Sequence, residues 1–171
     1  IAEMAKICDN VYRNLNIALA NELALICEAL GIDVLETINV ANQGPRTRIL
    51  MPGCGVGGSC LTKDPMMLAY LAAKKGLRAR LIIEGGRTNR RMPAHTLGLV
   101  KSAFHELDRN IAGSRISVMG LAYKGETDDV RESVARQIIS TLKKMGATVV
   151  AYDPYVSDEK IRKSFGQLKV M

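Results

Sequence analysis

Residues 115–152 read RISVMGLAYKGETDDVRESVARQIISTLKKMGATVVAY, and the reading of this stretch decides the fold. Residues 115–122 form a short apolar run with Ile116 and Val118, the pattern of a buried strand. Residues 133–145 carry helical spacing and stop at Gly146. Residues 148–152, with Val149 and Val150, read as a second strand. Strand, loop, helix and strand in that order open a parallel, doubly wound sheet. Upstream of residue 110 the period is helical throughout, so a boundary falls there. The expected fold class is α + α/β, with an all-helical domain over residues 1–110 and part of a parallel α/β domain over 111–171.

Working outward, residues 2–30 place Ile7, Val11, Leu15, Ala18, Leu19, Leu23, Ile26 and Leu30 at helical spacing, with Glu22 on the opposite side. Gly31 is a helix stop, and Asp33 caps a second helix that runs to about residue 41. Asp64-Pro65 predicts a third helix, with Asp64 as its cap and Pro65 at its first position, ending at Gly76. A long helical stretch over residues 81–108 should kink or break at Gly85-Gly86 and Pro93. The chain begins inside a helical pattern and ends soon after the second strand, so both ends read as cut.

The 171 residues are 47% hydrophobic but only 4% aromatic, which predicts an aliphatic core rich in helix formers. The net charge is +7, suited to an anionic ligand. The basic residues are scattered and do not alternate with aromatics, which argues for a phosphorylated small molecule and against nucleic acid. No apolar run is long enough for a membrane span, and no stretch of these residues reads as a signal peptide. The four cysteines, Cys8, Cys27, Cys54 and Cys60, lack Cys-x-x-Cys spacing, so no metal site is expected. Free thiols fit a reducing, cytoplasmic compartment. Cys8 and Cys27 fall on the helical pattern and are expected in the core. His95 and His105 lie on an amphipathic helix and receive no role.

The segment 51–65, MPGCGVGGSCLTKDP, carries the chemistry. Gly53, Gly55, Gly57 and Gly58 let the backbone approach a ligand closely, and their N–H groups could cradle a phosphate or a sugar. The loop delivers Cys60 just ahead of a helix start, where partial positive charge favours a thiolate. Lys63 adds a cation, and Asp64 is placed to orient water or take a proton. The segment fails the dinucleotide fingerprint, since no strand precedes it and no acid follows at the required distance.

Gly-x-Gly-x-Gly-Gly-x-Cys-x-x-Lys-Asp over residues 53–64 resembles the active-site signature of the UDP-glucose/UDP-N-acetylmannosamine dehydrogenase family. Two further segments are similar to that family. One is Ala2-Glu3-Met4-Ala5-Lys6 with Asn10 and Asn21-Glu22. The other is residues 120–133, GLAYKGETDDVRES. Lys6 and Asn10 lie one helical turn apart and share a face. The resemblance implies an NAD-dependent oxidation of the C6 alcohol of a UDP-sugar, by way of a cysteine thiohemiacetal and thioester. It implies Cys60 as nucleophile, Lys6 as oxyanion stabiliser, Asn10 beside the same oxygen or water, and Asp64 as general base or as the group that keeps Lys6 charged. Arg46, Met51, Gly53, Gly55, Gly57, Gly58 and Lys124 are implied on the substrate side, and Lys63 and Arg131 near the cofactor. Asp128 and Asp129 fix their loop. The family is also a homodimer through its central helical domain, and its third domain is Rossmann-like.

This sequence departs from the family where aromatic residues often flank the cysteine, since Val56 and Leu61 stand there. The NAD-binding N-terminal domain of the family lies outside the sequence, so the chain by itself is expected to be inactive. Residues 44–58 are similar to the N-acetylhexosamine branch rather than the glucose branch. The alternatives are a β-hydroxyacid dehydrogenase, which also pairs a helical domain with a helix-borne Lys and Asn but needs no cysteine, and a non-catalytic dimerisation module built on residues 2–30.

Overall fold

A computed structural model of the chain describes residues 1–166 and 168–170. Gln167 and Met171, assigned above to the α/β part, lie outside the described residues. The chain forms two compact units: residues 1–56 with 60–92, and residues 57–59 with 93–171. The fold class is as expected, a helical part followed by a partial parallel α/β part.

The helical unit holds α1 (Ala2–Leu30), α2 (Val34–Ala41), α3 (Ser59–Ala73, from Cys60 on) and the first half of α4 (Arg80–Glu106). Gly31 ends α1 as predicted, and Asp33 caps α2 by accepting from the N–H groups of Leu35 at 2.7 Å and Glu36 at 3.0 Å.

The inward face of α1 differs from the apolar one that periodicity suggests. Asn10, Asn14, Ala18 and Asn21 are buried along one stripe. Met4, Cys8, Tyr12, Leu19, Ile26 and Leu30 form an exposed stripe around the helix from it. Cys27 is buried as expected, whereas Cys8 is exposed. The reason is that buried asparagines are tied to backbone and side-chain partners, so polarity does not mark the outer face here.

Helix α3 starts at Ser59, not after Asp64, and Pro65 lies inside it. A proline there leaves the carbonyl four residues earlier without its N–H partner. That carbonyl belongs to Leu61, and the Asn14 side-chain amide donates to it at 3.1 Å. A tertiary hydrogen bond thus replaces the one that proline removes, and the helix continues.

Nor does α4 break at Gly85-Gly86 or Pro93. Gly85 is a close-approach position, because a Cβ there would lie 2.5 Å from Leu15 Cδ2 of α1. The same helix is bonded to α1 through Asn89, whose side chain accepts from Asn21 at 2.9 Å and donates to the Asn14 carbonyl at 3.0 Å.

The α/β unit holds the rest of α4, then β1 (Arg115–Met119), α5 (Val134–Lys144), β2 (Thr148–Tyr152), α6 (Asp158–Phe165) and β3 (Lys169–Val170). The strands are parallel in the order β1-β2-β3, with Arg115 paired to Thr148 and Val150 to Lys169. Because β1 is an edge strand, it is not buried as expected: only Ile116 and Val118 turn inward, and Met119 is exposed. It also stops at Met119 rather than at residue 122. The central strand β2 buries Val149, Val150 and Ala151. Ser133 caps α5, its hydroxyl accepting from the Ala135 N–H at 3.2 Å. Ile138, Ile139 and Leu142 of α5 join Leu121, Ile161 and Phe165 in the core. Each fully buried Leu or Ile contributes about 1.5–3 kcal/mol.

Candidate active site

Four of the candidate residues gather in the helical unit. The Asn10 side-chain amide on α1 donates to the Asp64 carboxylate on α3 at 2.6 Å. The Lys6 ammonium lies 3.4 Å from the Asn10 side-chain oxygen, which also accepts from Arg13 at 2.6 Å. Cys60 sits in the first turn of α3, exposed and one helical turn before Asp64, so the thiol and the carboxylate share a face. A thiol, a carboxylate, an amide and two cations are thus grouped about one edge of the α1–α3 pair.

The carboxylate bonded to Lys6 is Asp9 at 3.1 Å, while Asp64 meets Asn10. Arg13 reaches the same Asp9 oxygen at 2.9 Å. The Lys6 hydrogen bond, with help from Arg13, holds the Asp9 carboxyl below the usual range against the opposing effect of desolvation. Neither Asp9 nor Arg13 is singled out by sequence reasoning, although both share the face of Lys6 and Asn10 at three- and four-residue spacing.

The loop ahead of the glycines is lashed to α1 and α2 by asparagines. Gly53 donates its N–H to Asn21 at 2.8 Å. Leu50 donates to Asn16 at 2.9 Å, and Asn16 donates to the Arg48 carbonyl at 2.6 Å. Asn42 brackets Ile49, accepting from its N–H and donating to its carbonyl, both at 2.8 Å. Each asparagine supplies the partners that a loop backbone lacks. Arg46, Met51, Lys63 and Gly53 are exposed, and Gly55 is half-buried.

The other candidates belong to the α/β unit. Gly57 and Gly58 lie against the loop between β1 and α5. A Cβ on Gly57 would meet the Glu132 carbonyl oxygen at 2.7 Å and Tyr123 Cβ at 2.8 Å. One on Gly58 would meet the Tyr123 ring at 2.8 Å. Lys124 follows Tyr123 and is exposed. Asp129 accepts from the Arg131 backbone N–H at 2.9 Å and from its guanidinium at 2.7–3.1 Å. That guanidinium, followed by the backbone bond, holds the Asp129 carboxyl at about 2. Asp128 pairs with Lys160 at 2.6 Å, so both acids brace the loop as expected.

Asp153, just after β2, is a further residue that sequence reasoning missed. Its carboxylate is buried and accepts from the N–H groups of Leu121 at 2.6 Å, Ala122 at 2.9 Å and Tyr155 at 2.9 Å. Burial pushes its pKa upward, but the backbone donors outweigh burial and hold it below the ordinary value. An acid at this point of a dinucleotide-binding fold receives ribose hydroxyls. Here both its oxygens are taken by the protein's own backbone. The α/β unit therefore does not fit a dinucleotide in that manner. Among the described residues there is no group of three His, Cys, Asp or Glu side chains that could hold a metal ion. No helix among them is long and apolar enough to cross a membrane.

Known proteins match this chain in two stretches. Residues 1–91 match the UDP-glucose/GDP-mannose dehydrogenase family, central domain, and residues 117–171 match the UDP binding domain of that family. A UDP-N-acetyl-D-mannosamine dehydrogenase of Methanococcus maripaludis is 42% identical over 156 residues, which is 91% of this chain and 35% of that protein. The chain thus spans about a third of the length of such relatives. The solved structure of a UDP-D-ManNAc dehydrogenase from Pyrococcus horikoshii superposes with a TM-score of 0.83 at 43% identity, covering 91% of this chain and 37% of that one. The structure of a UDP-glucose dehydrogenase from Pyrobaculum islandicum superposes with a TM-score of 0.86 at 30% identity, covering 99% and 39%.

Proposed function

The chain belongs to the UDP-glucose/GDP-mannose dehydrogenase family, and from that premise we propose that it is the central and UDP-binding part of an enzyme that oxidises the C6 alcohol of a UDP-N-acetylhexosamine, UDP-N-acetylmannosamine foremost, to the uronate. In this reading residues 1–110 carry the nucleophile and the dimer interface, and residues 111–171 begin the UDP-sugar-binding domain. The observation that carries it is the meeting of Lys6, Asn10 and Asp64 on the helix face that also presents Cys60. The greater identity to an N-acetylmannosamine enzyme than to a glucose enzyme supports the choice of sugar. The match of residues 117–171 to a UDP binding domain speaks against a β-hydroxyacid dehydrogenase.

The residues divide the work as follows. The first oxidation gives a C6 aldehyde. The Cys60 thiolate adds to its carbonyl carbon, and the resulting oxyanion lies against the Lys6 ammonium and the Asn10 amide. Loss of a second hydride from that thiohemiacetal gives a thioester. Water, with its proton taken up by Asp64, then releases the carboxylate and the Cys60 thiol. Lys124, Arg46 and the backbone of residues 51–58 hold the nucleotide sugar. NAD would accept the two hydrides, and Lys63 and Arg131 would stand at the edge of its site. The exposed stripe Met4, Tyr12, Leu19, Ile26 and Leu30 suits the same stripe of a second copy, which makes the protein a homodimer. Cytoplasmic synthesis of a precursor sugar suits exposed, reduced cysteines.

The test uses the full-length protein with NAD and a panel of UDP-sugars, counting NADH per sugar consumed. Two NADH per UDP-N-acetylhexosamine, with the acid product lost in Cys60→Ser, is the expected result. One NADH per sugar, or acid formation untouched by the substitution, refutes the double oxidation through Cys60.

A further inference from the structure

We propose that Tyr123 is a positioning residue for the nucleophile segment: its ring, carried on a backbone that Asp153 and Asp129 hold, seats Gly57 and Gly58 and thereby fixes the backbone that leads into Cys60. The inference rests on the reading of Cys60 as nucleophile.

The glycines give the first observation. Neither could carry a side chain, because the Tyr123 ring and Cβ and the Glu132 carbonyl already occupy the space within 2.7–2.8 Å of where a Cβ would be. Gly58 is buried and has φ of +81°, a conformation that L side chains rarely adopt. Glycine is thus required here for close packing of backbone against an aromatic face, in addition to any ligand it meets.

The second observation is how firmly that face is held. Three successive amides, those of Leu121, Ala122 and Tyr123, are all bonded. The first two donate to Asp153 at 2.6 and 2.9 Å, and Tyr123 donates to the Asp129 carbonyl at 3.0 Å. The far side of the cradle is Glu132, a non-glycine residue at φ of +52°. Left-handed backbone of that kind is strained and persists only where its surroundings enforce it. Both ends of the β1–α5 loop therefore close on Gly57.

The third observation concerns which atoms of Tyr123 take part. The near atoms are Cβ, Cγ, Cδ2 and Cε2, and the phenol oxygen is not among them. The role requires a flat ring and not a hydroxyl. Ser59 then joins the seated glycines to Cys60 by consecutive peptide bonds. A displacement of the attacking atom of about 1 Å costs on the order of 100-fold in rate.

The experiment uses the full-length protein and the variants Tyr123→Phe, Tyr123→Leu and Tyr123→Ala. Each is assayed for kcat, for KM of the sugar nucleotide, and for aldehyde escaping before the second oxidation, trapped with hydroxylamine. Tyr123→Ala is expected to lower kcat by on the order of 10- to 100-fold, to leave KM within about threefold, and to release trapped aldehyde because the thiol arrives late. Tyr123→Leu stands in for it where the alanine variant does not fold. Tyr123→Phe restores kcat and abolishes the leak. A loss confined to KM, an equal loss in Tyr123→Phe, or unchanged kcat in Tyr123→Ala each overturns the proposal. Cys60→Ser run alongside separates the two claims. If it keeps the second oxidation, the nucleophile reading fails by itself. The seating is then judged by thermal unfolding of Gly58→Ala, whose destabilisation must shrink in the Tyr123→Ala background.

Discussion

Replacing Asp153 by asparagine tests whether one buried carboxylate organises the loop that carries Tyr123 and Lys124. The wild-type carboxylate receives the backbone N–H groups of Leu121 and Ala122 on one oxygen and that of Tyr155 on the other, and the Val156 backbone also bonds to it. Asparagine has a single oxygen. If that oxygen faces Leu121 and Ala122, its NH2 group confronts the Tyr155 N–H, and the reverse orientation strands two donors. A buried donor left without a partner costs about 1–3 kcal/mol, and each remaining bond falls from the charged to the neutral class, a loss of about 1 kcal/mol. The neutral amide escapes the carboxylate's burial penalty, so the net destabilisation comes to about 2–3 kcal/mol at neutral pH.

The pH dependence fixes the sign. Burial raises the Asp153 pKa, the backbone donors lower it more, and the folded-state value lies below the ordinary 3.8. The stabilisation is therefore complete above the unfolded pKa and is lost as pH falls through the folded one. The variant has no proton to gain at this site, so the gap between the two proteins narrows in acid. Urea unfolding followed by far-UV circular dichroism, in steps from about pH 7 to about pH 3, measures the gap. Hydrogen exchange of the peptide covering residues 119–124 localises it. A gap below about 0.5 kcal/mol at neutral pH, the scale of an ordinary surface substitution, or one that stays constant into acid, refutes the reasoning.

Two other predictions concern the helical unit. Asn14→Leu deprives the Leu61 carbonyl of its donor and is expected to cost about 1–2 kcal/mol. In a Pro65→Ala background residue 65 regains an N–H for that carbonyl, so the cost must fall, and equal costs in both backgrounds by urea unfolding sink the idea. Leu19→Glu or Ile26→Glu places a charge on the exposed stripe of α1 and is expected to shift the full-length protein from dimer to monomer in sedimentation analysis. Persistence of the dimer removes that stripe from the interface.

What was legible in the sequence was what local rules control. The cap at Asp33 acts on the next few residues, and the β-α-β order follows from a change of period, so both were read correctly. Several misreadings share one physical cause, a partner far along the chain. Pro65 sits inside a helix because Asn14, 47 residues before Leu61, supplies the missing donor. Gly85 continues a helix because Leu15 fills the space beside it. Asp153 went unnoticed because two of its partners, Ala122 and Leu121, are 31 and 32 residues upstream. The same cause explains why α1 was turned the wrong way. A loop such as residues 48–53 has no ladder or helix to satisfy its N–H and C=O groups, so the helix beside it must provide both donors and acceptors. Asparagine alone among the short side chains offers an amide donor and an acceptor together. Asn16 and Asn21 serve that loop directly, and Asn10 does for Asp64 what they do for the backbone. The polar stripe of α1 is therefore the inward one because it organises the site. The apolar stripe is left over for something else to cover, which is the physical content behind both the catalytic and the dimer readings of a single helix.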